Sequence, residues 1–196
     1  SQLVSTTDDP ALPPGGALEE LAAKLDEPAR EAWRGVPGRL AALRGRLAAL
    51  APGDGRARSE VEVFLKAVDY ALACGEWWEP AHLGRAAWAL DEAEARLADL
   101  AAGRTPWRDR TGPVALGFRS TIDGSLQPYG IVVPDGLDPA RPAPVWIWLH
   151  GRGERDTDLH FLWGAPEPGG SARGAPTASA RSTAAPASSI RRGSWG

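Results

Sequence analysis

"PVWIWLHGRGERDTDLHFLW", Pro144 to Trp163, is the stretch whose reading decides the fold. Val145–His150 is a run of β-branched and aromatic residues without polar alternation. That pattern fits a central strand covered on both faces. Gly151 and Gly153 then bracket a turn around Arg152. "DTDLHFLW" opens a helix, with Asp156 or Thr157 as its cap.

Immediately upstream the pattern is also extended. "VALGFRST" and "QPYGIVVP" read as two strands, and Asp123–Gly124 between them is a hairpin-turn pair. "DGLDPARPAP" is a turn-rich loop leading to the central strand. "GRTPWRDRTGP" reads as a linker to a different kind of region before it.

Residues 17–103 read as helices. "ALEELAAKLDEPAREAW" is rich in good helix formers, with Pro28 breaking or restarting it. "PGRLAALRGRLAAL" places Pro37 near a first helical position and ends at Pro52–Gly53. In "SEVEVFLKAVDYALACG", Ser59 and Glu62 have capping-box spacing. Val61, Phe64, Leu65, Val68 and Leu72 then follow one helical face up to Gly75. Leu83, Ala87, Leu90, Leu97 and Leu100 mark the stripe of the last helix, and Gly103 is its C-terminal cap. Short connections predict a small antiparallel bundle of three or four helices.

The domain reading is therefore a flexible leader over 1–16, a helical region over 17–103, strands over 104–163, and a low-complexity tail over 164–196. Of the 33 tail residues, 30 are Gly, Ala, Pro, Ser, Thr or Arg, and Glu167 is the only acid against four arginines. Such a composition does not offset its ordering entropy, so a disordered basic tail is one expectation. The other is an out-of-frame product from about residue 163 or 164 onward. A GC-rich gene read in the wrong frame yields these residue types, and the change falls inside the first helix after the central strand.

Composition narrows the function classes. Apolar residues make up 43% of the 196, enough for a buried core, and the net charge is −3. No basic patch is sustained, so nucleic acid is not expected as a partner. No apolar run approaches the ~20 residues of a membrane span. The single cysteine, Cys74, permits no internal disulfide and reads as a buried, inert thiol. The chain begins at Ser1 and contains no methionine. Loss of an initiator methionine and cleavage of a signal peptide both fit, and the polar leader leans towards export.

"STIDGSLQPYGIVVP" followed by "PVWIWLHGRGERDTDLHFL" resembles the N-terminal edge of the α/β-hydrolase fold, in its esterase, polymer-depolymerase and prolyl-oligopeptidase-like branch. The resemblance covers roughly residues 113–163. With the residue pattern it gives an α/β fold class: a helical bundle and a tail read from the residues and, between them, as the resemblance implies, an incomplete hydrolase-like sheet of a hairpin plus one central strand. It also implies a third strand ending in His-Gly-x-Gly, whose turn supplies half of an oxyanion hole.

The chemistry of such a turn is simple. Acyl transfer places negative charge on the carbonyl oxygen, and a preorganised backbone N–H there is worth ~3 kcal/mol. The resemblance makes Gly151, Arg152 and Gly153 the candidates for the donor turn, with the donating N–H on Gly151 or Arg152. His150 organises the turn. Glycines at 151 and 153 permit close approach and unusual dihedrals. A plain strand end and helix cap is the competing reading of the same residues.

The rest of the machinery is missing. The family order is Ser, then Asp or Glu, then His, all after this strand. No Gly-x-Ser-x-Gly occurs. Ser171 and Ser194 lie in the tail, Ser125 lies in a hairpin turn, and His160 precedes both tail serines. The expected function is a truncated or frame-shifted serine hydrolase, inactive as written. The complete family would act on a small-molecule ester or peptide. No cofactor and no metal are expected: His150, Glu154, Asp156, Asp158 and His160 fit no standard zinc spacing. The alternative is a non-catalytic helical interaction protein with a disordered basic tail. Trp77–Trp78 reads as a packing plug ahead of a sugar platform. Trp146 and Trp148 should share one covered face of the central strand.

Overall fold

The computed structural model describes residues 16–51, 53–138, 140–147 and 157–164. Among them are five α-helices and one two-stranded antiparallel sheet, a mixed α/β content. The helices are α1 (Gly16–Ala23), α2 (Glu27–Ala49), α3 (Gly55–Cys74), α4 (Pro80–Ala101) and α5 (Asp158–Gly164). The strands are β1 (Gly112–Arg119) and β2 (Leu126–Val133), and a 3-10 turn at Pro106–Asp109 precedes them.

The helical region forms the expected bundle, with two changes to its boundaries. α2 runs unbroken through Pro37, which was expected near a helix start. Val36, Leu40, Leu43 and Leu47 form one buried stripe across the proline, and Pro37 itself faces solvent. Continuous burial outweighs the one backbone hydrogen bond that proline removes. α3 starts four residues before Ser59. Its cap is Asp54, whose Oδ1 accepts from Arg56 N at 2.9 Å and Ala57 N at 3.2 Å. Ser59 instead lies inside the helix and donates to Gly55 O. At the far end Gly75 adopts φ 65°, the left-handed conformation that glycine permits. Gly103 does the same after α4, at φ 71°.

α3 is the central element because it is buried on two sides. Val61, Phe64, Leu65 and Val68 are all essentially inaccessible and face the bundle. α4 crosses it antiparallel: Glu60 O meets Arg96, and the Phe64 ring stands edge-on to Trp88 at 5.9 Å. The second side, around Ser59 and Val63, receives β1. A Cβ added to Gly117 would lie 2.6 Å from Val63 Cβ and 2.7 Å from Ser59 O. Only glycine lets the strand approach the helix this closely.

The stretch read as a linker is part of the same core. Trp107 is 1% exposed and donates from Nε1 to Glu60 Oε2 at 2.8 Å. Arg108 Nε donates to the same oxygen at 2.8 Å, and Arg56 Nε to Oε1 at 3.2 Å. Arg96, 3% exposed, lies 4.6 Å from the Phe64 ring centre and 5.4 Å from that of Trp107. Burial pushes its guanidinium below the ordinary arginine value, and Glu92 opposes this.

β1 and β2 pair in the register Gly112↔Val133 to Arg119↔Leu126, as the hairpin reading requires. Residues 120–125 make the turn, and Gly124 takes the left-handed position at φ 73°. The central strand is a correction. Val145, Trp146 and Ile147 are 83%, 84% and 82% exposed and belong to no strand. A covered strand needs ladder partners on both sides, and among the described residues β1 pairs only with β2, while 148–150 of that run lie outside them. Trp146 therefore has no covered face. Trp148 and the 165–196 portion of the tail lie outside the described residues, as does the leader before Gly16.

Candidate functional site

His150, Gly151, Arg152 and Gly153 all lie outside the described residues, together with Glu154 and Asp156. The structure places the two flanks of the turn. On one side the chain is exposed and outside any helix or strand at Val145–Ile147. On the other, Thr157 caps α5: its Oγ1 accepts from His160 N at 3.1 Å.

α5 is docked on the bundle by apolar and polar contacts. Leu159 is 3% exposed and Leu162 is fully buried. Trp163 stands edge-on to Trp88 of α4, with centroids 5.1 Å apart. Lys66 of α3 pairs with Asp158 at 2.7 Å and also donates to Leu126 O at 2.6 Å, so it ties α5 to β2. Arg85 of α4 donates to His160 Nδ1 at 2.7 Å.

His82 lies beside this contact, one helical turn below Arg85, and is 7% exposed. Its Nε2 is 2.8 Å from Glu79 Oε1, and Trp78 N approaches Nδ1 at 3.5 Å. The His82 and His160 rings are 6.3 Å apart. Burial, and then the Arg85 charge, push the His82 imidazole below its usual value, while Glu79 pulls the other way. Across the same junction, burial and then Asp158 raise the Glu76 carboxyl, against Lys66.

The remaining candidates resolve as follows. Ser125 lies in the hairpin turn, with both its N–H and hydroxyl donating to Asp123 Oδ1 at 3.0 and 2.7 Å. It is in no strand-to-helix elbow. Ser171 and Ser194 lie outside the described residues. Cys74 is exposed, which corrects the buried-thiol reading. It sits two residues beyond Leu72, a step of about 200° that turns it off the buried stripe. Of the five residues weighed as metal ligands only Asp158 and His160 are described, and they engage Lys66 and Arg85. No group of three or more metal-ligating side chains occurs among the described residues. No described helix is long and apolar enough to cross a membrane.

Trp77 is 2% exposed and packs edge-on against Trp33 of α2 at 4.8 Å, so it plugs the bundle. Trp78 stands edge-on to His82 at 5.8 Å. A groove of about 610 Å³ opens between α2, α3 and the hairpin, with Arg44, Lys66 and Arg119 on its walls. These three cations are already paired, with Asp69, Asp158 and Glu62.

Sequence reasoning missed the polar joint of Glu60, Arg96, Trp107 and Arg108, and the Arg85 bridge to His160. One signal for the bridge was present: His82 and Arg85 share a helix face at i, i+3 spacing. The comparisons with known proteins add no relative: no family model, no curated protein and no solved structure matches this chain.

Proposed function

We propose that this chain carries the N-terminal part of a serine hydrolase of the esterase or peptidase type, with an accessory helical bundle fused ahead of it. Gly151, Arg152 and Gly153 form the oxyanion turn, His150 organises it, and the nucleophile, acid and base are absent. The supporting observation is the element order. An antiparallel hairpin precedes a Thr157-capped helix, and between them the sequence carries the apolar Val145–His150 run and the glycines at 151 and 153.

The apolar surface left open on the hairpin side agrees with this reading. Phe118 and Val132 are about half exposed, and Val145–Ile147 nearly fully. A complete hydrolase sheet places further strands and helices against such residues. The change of composition after Trp163 supports the proposal that the codons beyond it are read out of frame.

Two measurements test the reading. The isolated chain, assayed with a nitrophenyl ester, shows no serine-dependent turnover; turnover would end the claim that it is inactive. Sequencing across codons 155–170 and translating the other two frames yields a nucleophile elbow. Absence of strand and helix patterns in both frames would end the hydrolase claim.

A further inference from the structure

We propose that the α4–α5 junction is a pH-sensitive clasp, which holds α5 on the bundle while His82 and His160 are neutral and releases it when they take up protons. The geometry at Nδ1 of both rings carries this. Arginine is only a donor, so the 2.7 Å contact from Arg85 requires His160 Nδ1 to accept. It accepts only while it bears no proton. The Trp78 N–H points at His82 Nδ1, which leaves the ring proton on Nε2, facing Glu79 at 2.8 Å. The Arg85 contact thus uses the lone pair of His160 Nδ1, and burial together with the Arg85 charge lowers the His82 imidazole against the pull of Glu79.

Protonation removes both acceptors and places three cations within one small cluster: His82, Arg85 and His160. Glu79 is the acid that faces them, at 2.8 Å from His82 and 3.5 Å from Arg85. The other charged groups at the junction are Asp158 of α5, Lys66 of α3 and Glu76 of the α3–α4 loop. Lys66 and Asp158 pair with each other at 2.7 Å. Glu76 acts the other way. Its carboxyl is raised by burial and by Asp158, so its protonation relieves repulsion and favours docking at low pH.

The sign for His82 follows from its depressed value. The stabilisation is complete above the ordinary 6.5 and is lost as pH falls through the lowered folded value. Release therefore begins below about pH 6.5. Each pH unit over which one histidine titrates changes the docking equilibrium by about tenfold.

Amide hydrogen exchange of the full chain, read by mass spectrometry and corrected for intrinsic rates, tests the clasp. The peptide 157–164 should lose protection by about tenfold or more between pH 7.5 and 5.5. The α3 peptide 61–72 should be unchanged. Glutamine donates and accepts without titrating, so His82→Gln/His160→Gln should remove the response. The single His160→Gln variant, at an exposed ring, should reduce it and serves if the double variant does not fold. Protection of 157–164 that is independent of pH overturns the proposal. So does an equal loss in α3, or an undiminished response in either variant. No substrate enters the measurement, so it stands or falls separately from the hydrolase reading.

Discussion

At position 60 a glutamate with no exposed surface accepts from Trp107, Arg108 and Arg56. Its neighbours make the carboxylate tolerable inside the protein, and its removal strands them in turn. Breaking a buried, hydrogen-bonded ion pair from one side costs about 3–5 kcal/mol. Glu60→Ala should lower the unfolding free energy by that amount in urea titration; a loss under 1 kcal/mol would mean the joint is solvated. Gly117 is the second such position. Gly117→Ala forces a methyl into Val63 and should cost about 1–3 kcal/mol by overpacking. Asp123 is a milder case, fully on the surface. The Ser125 and Ser120 hydroxyls and the Ser125 N–H hold its carboxyl down to about 2, from 3.8. The turn it organises keeps its full contribution above pH 3.8 and loses it as pH falls through about 2. Carbon-detected NMR titration should show that midpoint; one near 4 would show that these bonds do not persist. Glu60 and Gly117 did not stand out in the sequence, whereas Asp123 did, as half of the hairpin-turn pair Asp123–Gly124. Glu60 sits among "SEVEV" like any solvated helix charge, and only the return of residues 106–108 across the bundle gives it partners.

Among the elements, local chemistry was legible where one signal acted alone. Gly75 and Gly103 end their helices as read, and the hairpin has its expected strands and turn. Two competing signals misled. Pro37 carries a helix-start signal, yet the stripe of Val36, Leu40, Leu43 and Leu47 runs through it. Pro37→Ala should therefore stabilise the chain, by about 2–3 kcal/mol after the loss of proline's rigidity in the unfolded state. Thermal unfolding measures this; an unchanged or lower midpoint would place the helix break back at 37. The run at 145–147 has the composition of a buried strand, but a strand is a property of its partners. Neither the hairpin nor the bundle offers it a ladder. Periodicity cannot report such a lack.

Over the whole molecule, helices and hairpin share one apolar core. Val114, Ala115, Leu116 and Leu126 of the hairpin and Leu159 and Leu162 of α5 belong to the same buried cluster as the helices. Unfolding should be a single transition, with tryptophan fluorescence and far-UV circular dichroism coincident in urea. Two separated transitions would show that the hairpin melts independently of the bundle. The candidate site was legible only as a pattern of residue types. Its four turn residues lie outside the described region, and the contacts that fix its downstream flank come from α3 and α4, 75 to 92 positions earlier in the chain.

The uncovered Val145–Ile147 strip sets the colloidal behaviour of this chain. Within "VWIWL" there is no charge and no proline, and every residue favours an extended backbone. Val145–Ile147, open to solvent within that segment, are expected to template strands from other copies. The concentration at which this polypeptide stays in solution is then limited by those few residues, while the folded bundle beneath them remains intact.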